Sequence, residues 1–91
     1  MKKTKMIRLI DSNFNIEDSK DLLMKLINYK ISFHQQHNFS CEERFGKPDD
    51  HSTRRIKELS ETREDLYSFI NEMENQKVSL KIDSTIVINV E

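Results

Sequence analysis

The sequence predicts an α+β fold in the order β-α-α-β, or β-α-α-β-β if the tail folds back on itself. Three observations carry this reading. Two long segments repeat their apolar residues at helical spacing. A single connector, holding the chain's only glycine and only proline, separates them. The last fifteen residues, "KVSLKIDSTIVINVE", alternate with period two. The architecture expected is an antiparallel two-helix hairpin packed on one face of a small antiparallel sheet, in a single domain over residues 1–91.

The first strand is expected at about 5–10, where "KMIRLI" is β-prone. "DSN" at 11–13 reads as a break, because these residues favour turns and caps. The first helix is expected from about 15 to 37. Asn15 is placed to cap it, and Glu17, Asp18 and Asp21 lie in its first turns, where the helix dipole favours acids. Ile16, Leu23, Leu26 and Ile27 fall on one stripe at about 100° per residue. Leu22, Tyr29 and Phe33 lie on one flank of it, Met24 and Ile31 on the other. This arc is wider than one partner helix covers.

The connector is expected at about 38–50. Gly46 suits a positive φ, Pro48 cannot continue a helix, and Asp49 or Asp50 can cap the second helix. Phe39 and Phe45 flank the turn and are expected to plug the end of the core. The second helix is expected at about 51–75. Its residues Ile56, Leu59, Arg63, Leu66, Ile70 and Met73 step by 3, 4, 3, 4, 3, the spacing of a packed seam. Arg63 in that seam must reach water, pair with an acid or mark a polar register. The second helix also opposes its own dipole, with Arg54 and Arg55 near its start and Glu72 and Glu74 near its end.

The C-terminal segment, about 77–90, is expected as one strand or a hairpin. Val78, Leu80, Ile82, Ile86, Ile88 and Val90 share a parity, so one face is apolar. A two-residue turn at Asp83–Ser84 would put Ile86 and Ile88 on the wrong face. A three-residue loop would keep the parity but lacks the glycine such loops favour. A first strand of six residues would leave much of an unbroken tail unpaired, which favours a strand shared between two molecules.

Composition narrows the function classes. Hydrophobic residues make up 35% and charged residues 34%, with a net charge of −1, which gives no general attraction to nucleic acid or membrane. The one cysteine cannot form an internal disulfide, and the basic start lacks the long apolar stretch of a signal peptide. A cytoplasmic protein is therefore expected. A single glycine argues against a nucleotide-binding loop.

Chemistry-bearing residues concentrate in "FHQQHNFSCEERFGKPDDH", residues 33–51. His34 and His37 share a helix face, Cys41 follows, and a hairpin would bring His51 close. Imidazole and thiolate suit zinc, but the spacing H-x2-H-x3-C matches no metal motif, and Lys30 near the same face repels a cation. Cys41 with His37 as base is the corresponding catalytic reading. Against both stands the structural one, in which polar residues fill the thin end of a hairpin. Arg44, Phe45, Gly46 and Lys47 form a candidate recognition loop. "MKKTK" and "TRRIK" are two local basic hooks for nucleic acid, without a recognised binding motif.

The function expected is a small soluble, non-enzymatic protein-interaction module that associates with itself or with a protein partner, without a cofactor. Its interface would hold Leu22, Tyr29, Phe33, Ile86, Ile88 and Val90. The alternatives are a metal-binding or catalytic tip at His34, His37 and Cys41, and nucleic-acid binding.

Overall fold

The structure is a computed structural model and describes residues 2–91. The order is β1 (Thr4–Phe14), α1 (Ile16–Phe45), α2 (Asp50–Glu74) and β2 (Leu80–Asn89). The two strands form one antiparallel sheet and the two helices a hairpin, as the α+β reading requires. The boundaries differ from expectation in informative ways.

Helix α1 starts where the sequence places it. The Asn15 side chain accepts the Asp18 N–H at 2.7 Å and caps the first turn. The helix then runs through residues 38–45, in place of the connector expected there. No residue in that stretch excludes helical φ/ψ, and the break waits for Gly46. Gly46 adopts φ 78°, and its N–H donates to the Glu42 carbonyl at 2.9 Å, closing the helix with a left-handed residue. The connector thus shrinks to residues 46–49. Asp49 caps α2 by accepting the Ser52 N–H at 2.9 Å. Asn38 locks the turn from the α1 side. It accepts the Asp49 N–H at 3.0 Å and donates to Thr53 Oγ1 at 3.2 Å.

The α2 seam is the expected one. Ile56, Leu59, Arg63, Leu66 and Met73 are half-buried, and Ile70 is 0% exposed. The α1 seam is displaced from the expected stripe. Ile31, placed on a flank by the sequence, is buried, and Leu26 is exposed. From Leu23 onward the seam runs through Leu23, Ile27, Ile31, His34, Asn38 and Cys41, stepping by 4, 4, 3, 4, 3, and fully buried Ser19 and half-buried Ile16 precede it. Arg63 neither reaches an acid nor lies free in the seam; it donates to Asn28 Oδ1 across the hairpin at 2.7 Å. Arg54, Arg55 and Glu74, three of the four charges that oppose the α2 dipole, have partners. Arg55 bonds Glu58 at 2.6 Å, and Glu74 pairs with Lys20 at 3.6 Å.

The strand β1 is 11 residues long, not six, and it pairs along all of β2. The tail is one strand, so the hairpin alternative is overturned. Asp11, Ser12 and Asn13 stay in the strand because each lies opposite a β2 residue: Asp83, Ile82 and Lys81. Their charges are also met there. Lys81 bonds Asp11, and Arg8 bonds Asp83 at 2.7 Å, which offsets the opposed pair Asp11 and Asp83.

Between Arg8 and Ile10 the register shifts, with Leu9 left unpaired as a bulge. Ile7 and Ile10 would face opposite ways in a regular strand. The extra residue puts Ile7 opposite Ile86 and Ile10 opposite Ser84, on the same face.

Helix α1 is the helix that meets both strands. Cover is greatest where the sheet joins the hairpin. Phe14, Leu80, Ile82 and Ser84 are half-buried and Ile10 is buried, whereas Ile7, Ile86, Ile88 and Val90 on the same face are exposed. The far half of the sheet therefore overhangs the hairpin. The radius of gyration is 16.6 Å, against about 12 Å for a compact domain of this length.

Phe45 is 72% exposed and Phe39 is exposed, so neither plugs the core. Both lie on the part of α1 that the sequence assigned to the turn. As helix, that part carries them outward. Ile70→Ala should lower stability by about 2–5 kcal/mol in a denaturant melt, and Phe45→Ala by about 0.5 kcal/mol or less. The reverse order would contradict the burial described.

Candidate functional site

The hairpin tip gathers the polar residues singled out by the sequence but does not merge them into one site. His34 is buried in the helix seam. Its Nδ1 lies 3.2 Å from Ser52 Oγ, and its Nε2 is buried without a hydrogen-bond partner. His51 packs edge-on against it, ring centroids 6.1 Å apart. His37, one turn beyond His34 along α1, is exposed, with Nε2 3.7 Å from Cys41 Sγ and 3.9 Å from Asp49 Oδ2. Among the described residues, no three His, Cys, Asp or Glu side chains are grouped to hold one metal ion.

The His37–Cys41 contact is a one-turn i,i+4 neighbour pair on α1. The nearest carboxylate, Asp49, is already engaged in the α2 cap. That cap bond from Ser52 N–H, more than any other influence, holds the Asp49 carboxyl below its ordinary value. Arg44 and Phe45 form the last turn of α1, and Gly46 and Lys47 the turn itself. Together with Cys41, Pro48, Asp49 and Asp50, Phe45 and Lys47 line a shallow cleft at the tip.

Burial depresses the His34 pKa first, and the positive field of Lys30, His51, Arg55 and His37 depresses it further. The neutral ring is thus the folded form. As pH falls below the ordinary histidine value of 6.5, the unfolded chain takes a proton that folded His34 refuses. Stability is lost in that window and regained as pH rises through it.

The exposed apolar surface is the larger feature. Tyr29 is 74% exposed, and Phe33 and Leu26 are exposed beside half-buried Leu22. These four residues step by 4, 3, 4 along the side of α1 turned away from its seam. Lys30 Nζ rests 5.0 Å from the Phe33 ring centroid, so part of that face is shielded by a lysine stem. On the sheet, Ile86, Ile88 and Val90 form the exposed end of one face, joined by Ile7 from β1. Met6 and Val87 oppose each other on the other face and are also exposed. Sequence reasoning missed Ile7, Leu26, Met6 and Val87. The parity break at Leu9 hides the first from any period-two count. Leu26 falls on the stripe that the sequence marks as buried.

The chain matches no protein-family model, no curated protein and no solved structure. Its class rests on its own geometry: a small α+β protein whose core is left open on the sheet side.

Two outcomes are expected at the tip. The melting temperature should fall between about pH 7 and pH 5, and His34→Phe should flatten that slope, because the phenyl ring has no proton to take. An unchanged slope in the variant would show that other groups set it.

Proposed function

We propose that the chain is a non-enzymatic protein-interaction module that works as a homodimer. One observation carries the reading. The folded chain exposes 7381 Å², whereas a compact monomer of 10.9 kDa exposes about 5,600 Å². The excess, about 1,800 Å² per chain, matches one side of an obligate interface, which buries roughly 1,000–2,500 Å² per partner. Large apolar side chains are exposed in two places: Ile7, Ile86, Ile88 and Val90 on the sheet, and Leu26, Tyr29 and Phe33 on α1.

The unpaired tail that sequence reasoning invoked is not the reason, because β1 pairs with all of β2. The support is now the uncovered face. Among the described residues, three hydrophobic ones, Ile10, Ile31 and Ile70, are buried in the single chain. A two-stranded sheet is marginal in water unless a face is covered. A second copy offers the same surfaces and closes the contact by twofold symmetry. The reading includes a cytoplasmic setting, supported by the lone Cys41, which has no partner for an intrachain disulfide.

Sedimentation or light scattering at micromolar concentration tests this. The expected mass is twice the 10.9 kDa of the chain. A folded species of 10.9 kDa at all concentrations overturns it.

A further inference from the structure

We propose that β2 is the edge through which two chains join, giving one four-stranded antiparallel sheet with β2 against β2 at its centre. This rests on the self-association reading and specifies its surface. The first observation is the direction of the backbone amides. Val90 N–H donates to the Lys3 carbonyl at 2.8 Å. Alternation along an antiparallel ladder then turns the even-numbered amides of β2 toward β1. The amides of Lys81, Asp83, Thr85, Val87 and Asn89 point to the open edge.

The two open edges are not equivalent. The β1 edge is broken by the bulge at Leu9, a device that blunts strand edges against further pairing. The β2 edge has no register break, no proline and no glycine over Leu80–Asn89. It is the edge competent for strand addition.

Face and charge then fix how a second β2 fits. The apolar face continues across the junction only if even-numbered residues oppose even-numbered ones. An antiparallel pairing centred on Ser84 or Thr85 does this and overlaps nearly the whole strand. Centred on Ser84, it sets Ile82 against Ile86 and Leu80 against Ile88. Centred on Thr85, it sets Ile82 against Ile88. Neither puts Asp83 against Asp83 or Lys81 against Lys81, whereas a centre on Asp83 would oppose the two Asp83 carboxylates.

The antiparallel arrangement also supplies the missing cover. Each chain's hairpin sits over the Phe14–Leu80 end of its own sheet. The second copy's hairpin then stands on the same face, beside the overhang of Ile86, Ile88 and Val90. The two hairpins share that face, and each carries the exposed residues Leu26, Tyr29 and Phe33 on α1.

Single cysteines in a Cys41→Ser background test the pairing. Residues at the twofold have Cα atoms about 4.5–5.5 Å apart, within disulfide range. Ser84→Cys or Thr85→Cys should give a covalent dimer on mild oxidation, read on a non-reducing gel. Met6→Cys, on the β1 edge, should stay single. Val87→Pro removes an outward amide and no bond to β1, so it should halve the mass in solution while the helical circular dichroism persists. If the parent protein is dimeric but Met6→Cys cross-links while Ser84→Cys and Thr85→Cys do not, the β2 edge is wrong and self-association stands. A Val87→Pro protein that keeps the dimer mass also overturns the edge. A monomeric parent overturns both readings.

Discussion

A thirty-residue helix set against a twenty-five-residue one commits most of this chain to a rod about 45 Å long, and the rest of the structure depends on that length. Each helix turns one face to the other. Few residues are left to build a sheet, and the two strands that remain meet only α1. The hairpin holds because its seam is continuous from Ser52 and His34 at the tip to Ile70 near the base. Among the described residues, Ile70 is the one large side chain fully removed from water. The sheet, in contrast, is held by its own ladder and by the ion pairs among Arg8, Asp11, Lys81 and Asp83, all exposed. Exposed pairs of this kind contribute little individually. The two halves of the fold therefore differ in what stabilises them.

Polar groups set the alignment of the helices where an apolar seam alone would let them slide. A shift of one turn separates Arg63 from Asn28 and His34 from Ser52. It also withdraws Asn38 from Asp49, whose amide is then left unpaired beside the turn. The tip chemistry that the sequence singles out is thus used for register. His34 has one nitrogen satisfied and one buried without a partner, a cost accepted in a place where the ring must remain neutral.

The parts legible in the sequence are those set by local chemistry. Asn15, Gly46 and Asp49 do what their residue types suggest, because a cap or a left-handed turn depends on a few neighbouring atoms. The α2 seam is equally clear from Ile56 to Met73. What misleads is local propensity overruled by pairing. Asp11, Ser12 and Asn13 look like a turn, yet Lys81 and the β2 ladder hold them extended. Residues 38–45 look like part of the connector because Gly46 and Pro48 follow them, yet Asn38 serves the turn by its side chain while its backbone stays helical. The bulge at Leu9 has no sequence mark at all. It is visible only once Ile7 and Ile10 are both required on one face.

That bulge links the fold to the assembly proposed for it. A two-stranded sheet has two open edges, and a protein with both edges competent would add copies without end, since each addition leaves another edge free. Breaking the β1 ladder at Leu9 removes one of them. What remains on β2 is a single regular edge, and two such edges meeting about a twofold axis use each other up. In the proposed dimer, the same residue that restores Ile7 to the apolar face also limits growth to a closed pair. The apolar overhang is tolerable in that proposed pair, because the contact that would cover it also consumes the edge that would propagate it.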